Sequence, residues 1–451
     1  MVSIRRSLLA GAAFLLCLSI QLPPALAADE ATAPRPESAG NPLATVDQDD
    51  ATGRALRILQ FPEVRKAREL VVLRWKAVLH DKPPPDAWSR FEPAIDEYVF
   101  NYVLKAVNSD PNHPKVLHVY TPPRDWRGMN VPGSRWGGDN PDNIYRIVPI
   151  DGKARYRLDG RRFGAGPSVV TYTLVGNYET SKTLNPGLAG GDVRTAADGT
   201  FSITLDPLPA NGRVNHIQTR PGSLYLFVRD SLGDWRQRAN ALSIHRLDPP
   251  DAPPMTDEQV AQRAADIMVD GVPLVFWFWN LAHGTPNAMP PLRRSGFMGG
   301  LVSQRSSLAE VNLADDEAMV VNVNPAGAAY YALVNYDYWF LTHDYPRITS
   351  SLTNAQAAPN PDGTITYVVS AMDPAVHNWI DTGGLRNVIV HLRLQGLPDG
   401  PPGEPWIESR IVKLADLKKV LPPATRWVSP EERAKQRAAR LAHYQSRVAD
   451  R

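Results

Sequence analysis

The sequence predicts a mainly β protein: two related β-sandwich units, preceded by a helical hairpin and followed by a helix. Three observations carry this. The 451 residues include 42 prolines and 31 glycines. Proline is ordinarily about 5% of a chain, so the excess favours short elements joined by turns over long helical bundles. Two long stretches alternate apolar and polar residues with a period of two. Finally, a set of residues in the first stretch returns, in the same order and at matching distances, in the second. With 43% hydrophobic and 21% charged residues, the chain can bury real cores and is not globally disordered.

Residues 1–27 read as an export signal. Arg5 and Arg6 form the basic start, Leu8 to Ile20 the apolar run, and Ala25-Leu26-Ala27 the cleavage site. The run is too short for a membrane span, and Pro23-Pro24 ends it. Cleavage near Ala27 sends the chain to the periplasm or outside the cell, with no stable span afterwards. The paired arginines also permit a twin-arginine route, and the sequence does not choose between the two. Cys17, the single cysteine, leaves with the signal, so the mature chain has no disulfide, thiolate metal site or cysteine nucleophile. Without Arg5 and Arg6, the 49 Lys and Arg fall to the number of Asp and Glu, 47. No basic excess supports binding to nucleic acid.

Residues 28–50 read as a flexible leader and 51–110 as a helical region. Val64, Ala67, Val71, Trp75 and Val78 recur at helical spacing, as do Trp88, Phe91, Ile95, Tyr98, Tyr102 and Ala106. Pro83-Pro84-Pro85 turns the chain between them. Residues 111–250 form the first β unit, with strands expected at Val116–Tyr120, Ile144–Ile150, Ala154–Leu158, Ser168–Tyr178, Phe201–Leu205, Leu224–Arg229 and Leu242–Arg246. A helical and irregular connector, 251–318, opens with the capping-box spacing Thr256-Asp257-Glu258-Gln259 and includes the apolar run Leu274 to Trp279, read as a buried element. The second β unit, 319–422, has strands expected at Met319–Val323, Ala328–Leu341, Thr364–Val369, Val388–Leu394 and Ile407–Leu414. In 423–451, Ser429-Pro430-Glu431-Glu432 starts a helix whose stripe of Ala438, Leu441, Tyr444 and Val448 can pack on the body or join two copies of the chain.

The repeat is explicit. Asp198-Gly199-Thr200, Asn215-His216 and a strand ending in Arg229 are echoed by Asp362-Gly363-Thr364, His377-Asn378-Trp379 and a strand carrying Arg393. Asp-Gly before an alternating run is a hairpin signal, and the ordered set implies a duplicated unit. The run Asp362-Gly363-Thr364, His377-Asn378-Trp379-Ile380-Asp381-Thr382-Gly383-Gly384 and Arg393 resembles a bacterial family catalogued as domain of unknown function 1214. The resemblance is clearest over 324–421 and weaker over 143–247. It implies a jelly-roll-like β-sandwich fold and no activity.

No Gly-x-Ser-x-Gly elbow, His-Glu-x-x-His zinc motif, phosphate-binding Gly-Lys loop or strand-linked Gly-x-Gly-x-x-Gly is present, and neither a metal site nor a cofactor is expected. Among the candidates that remain, His377 can act as a general base and Arg393 as an electrostatic stabiliser. Asn378, Trp379 and Asp381, with Asn215, His216 and Arg229, are candidate ligand contacts. Each has a plainer reading. The asparagines fix turns, Trp379 packs in a core, and the arginines pair with acids such as Asp230 or Asp234. Asp139-Asn140-Pro141-Asp142-Asn143 is dense in oxygen ligands yet reads as a turn. The function expected is binding or processing of an extracytoplasmic ligand, such as a glycan, in a cleft between the units. Hydrolase or lyase chemistry at His377 and Arg393 is one alternative, and an envelope assembly role through the C-terminal helix is another.

Overall fold

The computed structural model describes residues 40–448, apart from 80–81, 178–181, 285, 296–300, 302 and 400–402. The expected export signal and the first part of the leader lie outside the described residues. The helices are α1 Val46–Ile58, α2 Pro62–Leu79, α3 Pro85–Trp88, α4 Phe91–Val107, α5 Asp257–Asp270, α6 Val272–Ala282, α7 Leu417–Val420 and α8 Pro430–Val448. Strands β1 Leu117–Val119, β2 Arg124–Trp126, β3 Met129–Val131, β4 Asn143–Pro149, β5 Tyr156–Arg161, β6 Val169–Val175, β7 Thr183–Ala189, β8 Thr200–Asp206, β9 His216–Gln218, β10 Tyr225–Ser231 and β11 Ala241–Arg246 precede α5. After α6 come β12 Arg293–Arg294, β13 Arg305–Asn312, β14 Glu317–Asn324, β15 Tyr330–Tyr336, β16 Ser351–Thr353, β17 Ile365–Ser370, β18 Trp379–Asp381, β19 Asn387–Gln395 and β20 Trp406–Lys413.

The sheets prove the duplication strand by strand. A five-stranded sheet, β1-β4-β10-β6-β7, matches β12-β13-β19-β15-β16, and a four-stranded sheet, β11-β5-β8-β9, matches β20-β14-β17-β18. Even the parallel pair is kept, β8 with β9 and β17 with β18. Each half is a sandwich because the two sheets share one core. Val148, Leu226 and Val228 meet Leu158, Ile203 and Leu205 in the first. In the second, Val390 and Leu392 meet Val321, Val323 and Tyr367. Asp198 and Asp362 each accept a hydrogen bond from the backbone and hydroxyl of the threonine two residues on, and Gly199 and Gly363 both take φ +83°. An L side chain disfavours that conformation, which is why the Asp-Gly pair recurs.

Pairing also fixes the register between the copies. Thr204 N donates to Asn215 O, and Val368 N donates to Asn378 O. Asn215 therefore corresponds to Asn378, and His216 to Trp379. By the same ladders Arg229 corresponds to Arg393, and Ser231 to Gln395.

Helices α1 to α6 cover the outer face of the first five-stranded sheet. Trp75, Phe91, Tyr98, Tyr102 and Val103 share a core with Leu117, Tyr145, Ile147 and Tyr225, and with Tyr338 and Trp339 of the second half. Thr256 caps α5 through the expected capping box with Gln259. Helix α1 begins in the stretch expected to be leader and runs on into the expected helical region. Thr45 caps it, and Ala51, Ala55 and Ile58 bury one stripe, too few apolar residues to signal a helix alone. Pro186 and Gly187 hid β7. It is an irregular edge strand, where proline is tolerated, and a Cβ at Gly187 would meet Tyr172 O at 1.6 Å. Strands β12 and β13 fall within the stretch expected to be a connector, and β13 pairs with β19 along eight residues.

Candidate functional site

Between the halves lies a cavity of about 580 Å³, walled by the outer faces of both five-stranded sheets and by α6. Alternation explains what each strand contributes. Leu226 and Val228 of β10 enter the sandwich core, so Phe227, Arg229 and Ser231 face outward. Leu392 and Leu394 of β19 do the same, leaving His391, Arg393 and Gln395 outside. Ser231 Oγ donates to Gln395 Oε1 at 2.8 Å, so equivalent residues of the two repeats meet at the junction. Two residues earlier on each strand stand Arg229 and Arg393, and both line the cavity. The rest of the wall is aromatic and apolar, including Trp136, Tyr145, Trp277 and Phe340.

Both guanidinium groups are buried. Arg393 donates to Tyr336 Oη at 2.5 Å and to Gly138 O at 2.6 Å, two neutral acceptors. Arg229 lies 3.9 Å from the Phe227 ring centroid, and burial lowers its pKa from the ordinary value. The acids expected to pair with it are engaged elsewhere. Asp230 binds Arg146 at 2.6 Å, and Asp234 binds Arg236. His391 is kept neutral, its pKa held well below the usual histidine range by burial and then by Arg393.

Asp139 completes the polar set. It is buried at the cavity wall, accepts the Thr342 hydroxyl at 2.7 Å, and its pKa is pushed up to about 7 by burial, against the opposing pull of Arg135. Its neighbours in the Asp139–Asn143 run knit the halves together. Asp142 accepts hydrogen bonds from Trp235, Tyr330 and Ser351, and Asn140 donates to Tyr330 Oη at 2.7 Å. The run read as a turn is thus a buried joint. Its unusual density of carboxylates and carboxamides was the available signal for Asp139.

His377, Asn378, Trp379 and Asp381 lie on the four-stranded side of the second sandwich, apart from the cavity wall that holds Arg393. His377 is bonded to Gln356 O at 3.2 Å and to Gln436 of α8 at 2.7 Å, and burial lowers its pKa. Asn378 clamps its own chain: Oδ1 accepts from Ala358 N at 2.7 Å, while Nδ2 donates to Ala358 O and Thr366 O. Asn215 repeats the clamp on Arg194, accepting from N and donating to O at 2.8 Å each. His216 bonds Thr204 and Leu208 O. Trp379 is buried, donates to Ser370 O and lies 5.0 Å from Arg433 and 5.6 Å from Arg437 of α8. Asp381 stands 3.6 Å from Arg437. His377, Trp379 and Asp381 therefore meet the C-terminal helix, which packs on the body of its own chain.

The fold and cavity define a class, duplicated β-sandwich proteins with a helical cover over one sheet. Within it, residues 313–399 match the family described as protein of unknown function (DUF1214), the family that the sequence resembles. No curated protein matches the chain. The crystal structure of an uncharacterised protein from Burkholderia cenocepacia is similar, with 26% identity and a TM-score of 0.66 over 80% of this chain and all of that one. A protein from Vibrio parahaemolyticus aligns over 73% of this chain and 98% of that one, at 13% identity and a TM-score of 0.41. Among the described residues, no helix is long and apolar enough to cross a membrane, and no cluster of three or more His, Cys, Asp or Glu could hold a metal ion.

Proposed function

We propose that the protein binds a small extracytoplasmic molecule in the cavity between its sandwiches, one with an anionic group and a flat apolar face. An organic acid and an acidic sugar both have this chemistry. The observation that carries the reading is that Arg229 and Arg393, equivalent residues of the two repeats, line one aromatic-walled cavity. Guanidinium is suited to planar recognition of carboxylate or phosphate, and the aromatic wall supplies apolar contact. Export through the 1–27 segment would bring such a site to extracytoplasmic ligands.

The test is thermal unfolding of the mature chain against a panel of carboxylates, phosphates, sugar acids and neutral sugars. A bound anion raises the midpoint by mass action. The rise should shrink in Arg393→Lys, which keeps the charge but loses the planar fork. A panel with no anion-dependent rise, or a rise untouched by the substitution, refutes the reading.

A second reading is supported by Asp139. A buried carboxyl with a pKa near 7 on a cavity wall suits proton transfer. Hydrolase or lyase chemistry in the cavity would then draw its proton from Asp139, with Arg393 stabilising developing negative charge.

A further inference from the structure

We propose a second binding site, for a neutral saccharide, in an open groove on the four-stranded sheet of the second sandwich. The groove measures about 460 Å³ and is lined by Asn322, Asn360, Asp362, Thr364, Thr366 and Trp406, with Pro422-Pro423 on one side. Trp406 is 40% exposed. An indole left this open beside polar groups offers a flat apolar plane, the surface on which the C–H face of a sugar ring packs. The polar groups around it are held in place. Asn360 Nδ2 donates to the Thr364 and Thr366 hydroxyls at 2.9 and 3.0 Å, and Thr366 Oγ1 donates to Asn322 Oδ1 at 2.9 Å. Those bonds use one end of each carboxamide. Among the described residues, Asn322 Nδ2 and Asn360 Oδ1 make no hydrogen bond, which leaves one donor group and one acceptor to meet hydroxyl groups, themselves both donors and acceptors.

Charge narrows the ligand. Among the described residues, no Lys, Arg or His lines the groove, and the carboxylate there, Asp362, is held by Thr364. A neutral glycan fits, and an acidic one has no cation to meet.

The first repeat serves as an internal control. Pairing makes Ala241 the counterpart of Trp406, Asp159 of Asn322 and Ala196 of Asn360. There the small residues provide no platform, and Asp159 is taken up by Arg157 and Ser202. The Asp-Gly-Thr turn that shapes the loop is common to both repeats, whereas the residues suited to a sugar occur only in the second.

The experiment is electrophoresis of the full mature chain through native gels containing hydroxyethylcellulose or glycol chitin, with dextran and alginate as contrasts. The two β-1,4-linked polymers present flat gluco-configured rings. Retardation is expected in at least one of them and not in alginate. Trp406→Ala should weaken it roughly tenfold or more, as expected when a central tryptophan contact is truncated, and Trp406→Tyr should restore part of it. Arg393→Lys should leave it unchanged, so failure here and failure of the cavity reading are distinguishable. Mobility unaffected by either polymer overturns the proposal. So does retardation that survives in Trp406→Ala, or that is lost in Arg393→Lys.

Discussion

Asp139→Asn isolates the electrostatic consequence of burying a carboxyl at the cavity wall. Burial raises the Asp139 pKa from 3.8 to about 7 in the folded chain. Below about pH 4 the carboxyl is protonated in both states and costs nothing. As pH rises from there to 7, the unfolded chain releases the proton first, so the folded state binds more protons and stability falls. Above pH 7 the full penalty is present. A difference of about 3 pKa units corresponds to about 4 kcal/mol. Asparagine fills similar space, still reaches the Thr342 hydroxyl and cannot ionise. Relative to the native chain, the variant should therefore gain about 4 kcal/mol between about pH 4 and pH 8. Urea unfolding at both pH values measures it. Asp337→Asn is the comparison, because burial pushes Asp337 up only to about 6, so its smaller gain should be complete about one pH unit earlier. Equal stability differences between native chain and Asp139→Asn at both pH values would refute the argument.

Three further outcomes follow from the joint and the clamps. Arg440 donates to Ser351 O at 2.8 Å and to Ser351 Oγ at 3.0 Å, and lies 4.1 Å from the Trp235 ring, so Arg440→Ala should cost about 3 kcal/mol. Chemical denaturation checks this, and sedimentation should show no change of mass. Asn378→Ala loses three buried or half-buried hydrogen bonds and should cost about 3 kcal/mol. Asn215→Ala loses two exposed bonds and should cost about 1 kcal/mol, by the same urea titration.

Much of the architecture was legible because it is written locally. Period-two alternation marks β4, β10, β14 and β19, the capping box marks α5, and Ser429-Pro430-Glu431-Glu432 marks α8. The duplication was visible because its turns need Asp-Gly and its clamps need asparagine. Elements with weak local signals were hidden. Helix α1 has a thin apolar stripe, β7 contains Pro186 and Gly187, and the three-residue β9 and β18 exist only as partners of longer strands.

The site divides in the same way. The sequence by itself determined that Arg229 and Arg393 occupy equivalent strand ends, and that His377 to Asp381 form a cluster of chemically capable side chains. Only the tertiary structure decided what each faces. It turned the two arginines into one cavity, set His377, Trp379 and Asp381 against α8, and made Asp139 a buried acid. The reason is physical. Alternation and capping are read over a few neighbouring residues, whereas a shared cavity depends on contacts between segments some 160 residues apart, from Arg229 to Arg393. A shifted pKa depends on how much water those contacts exclude.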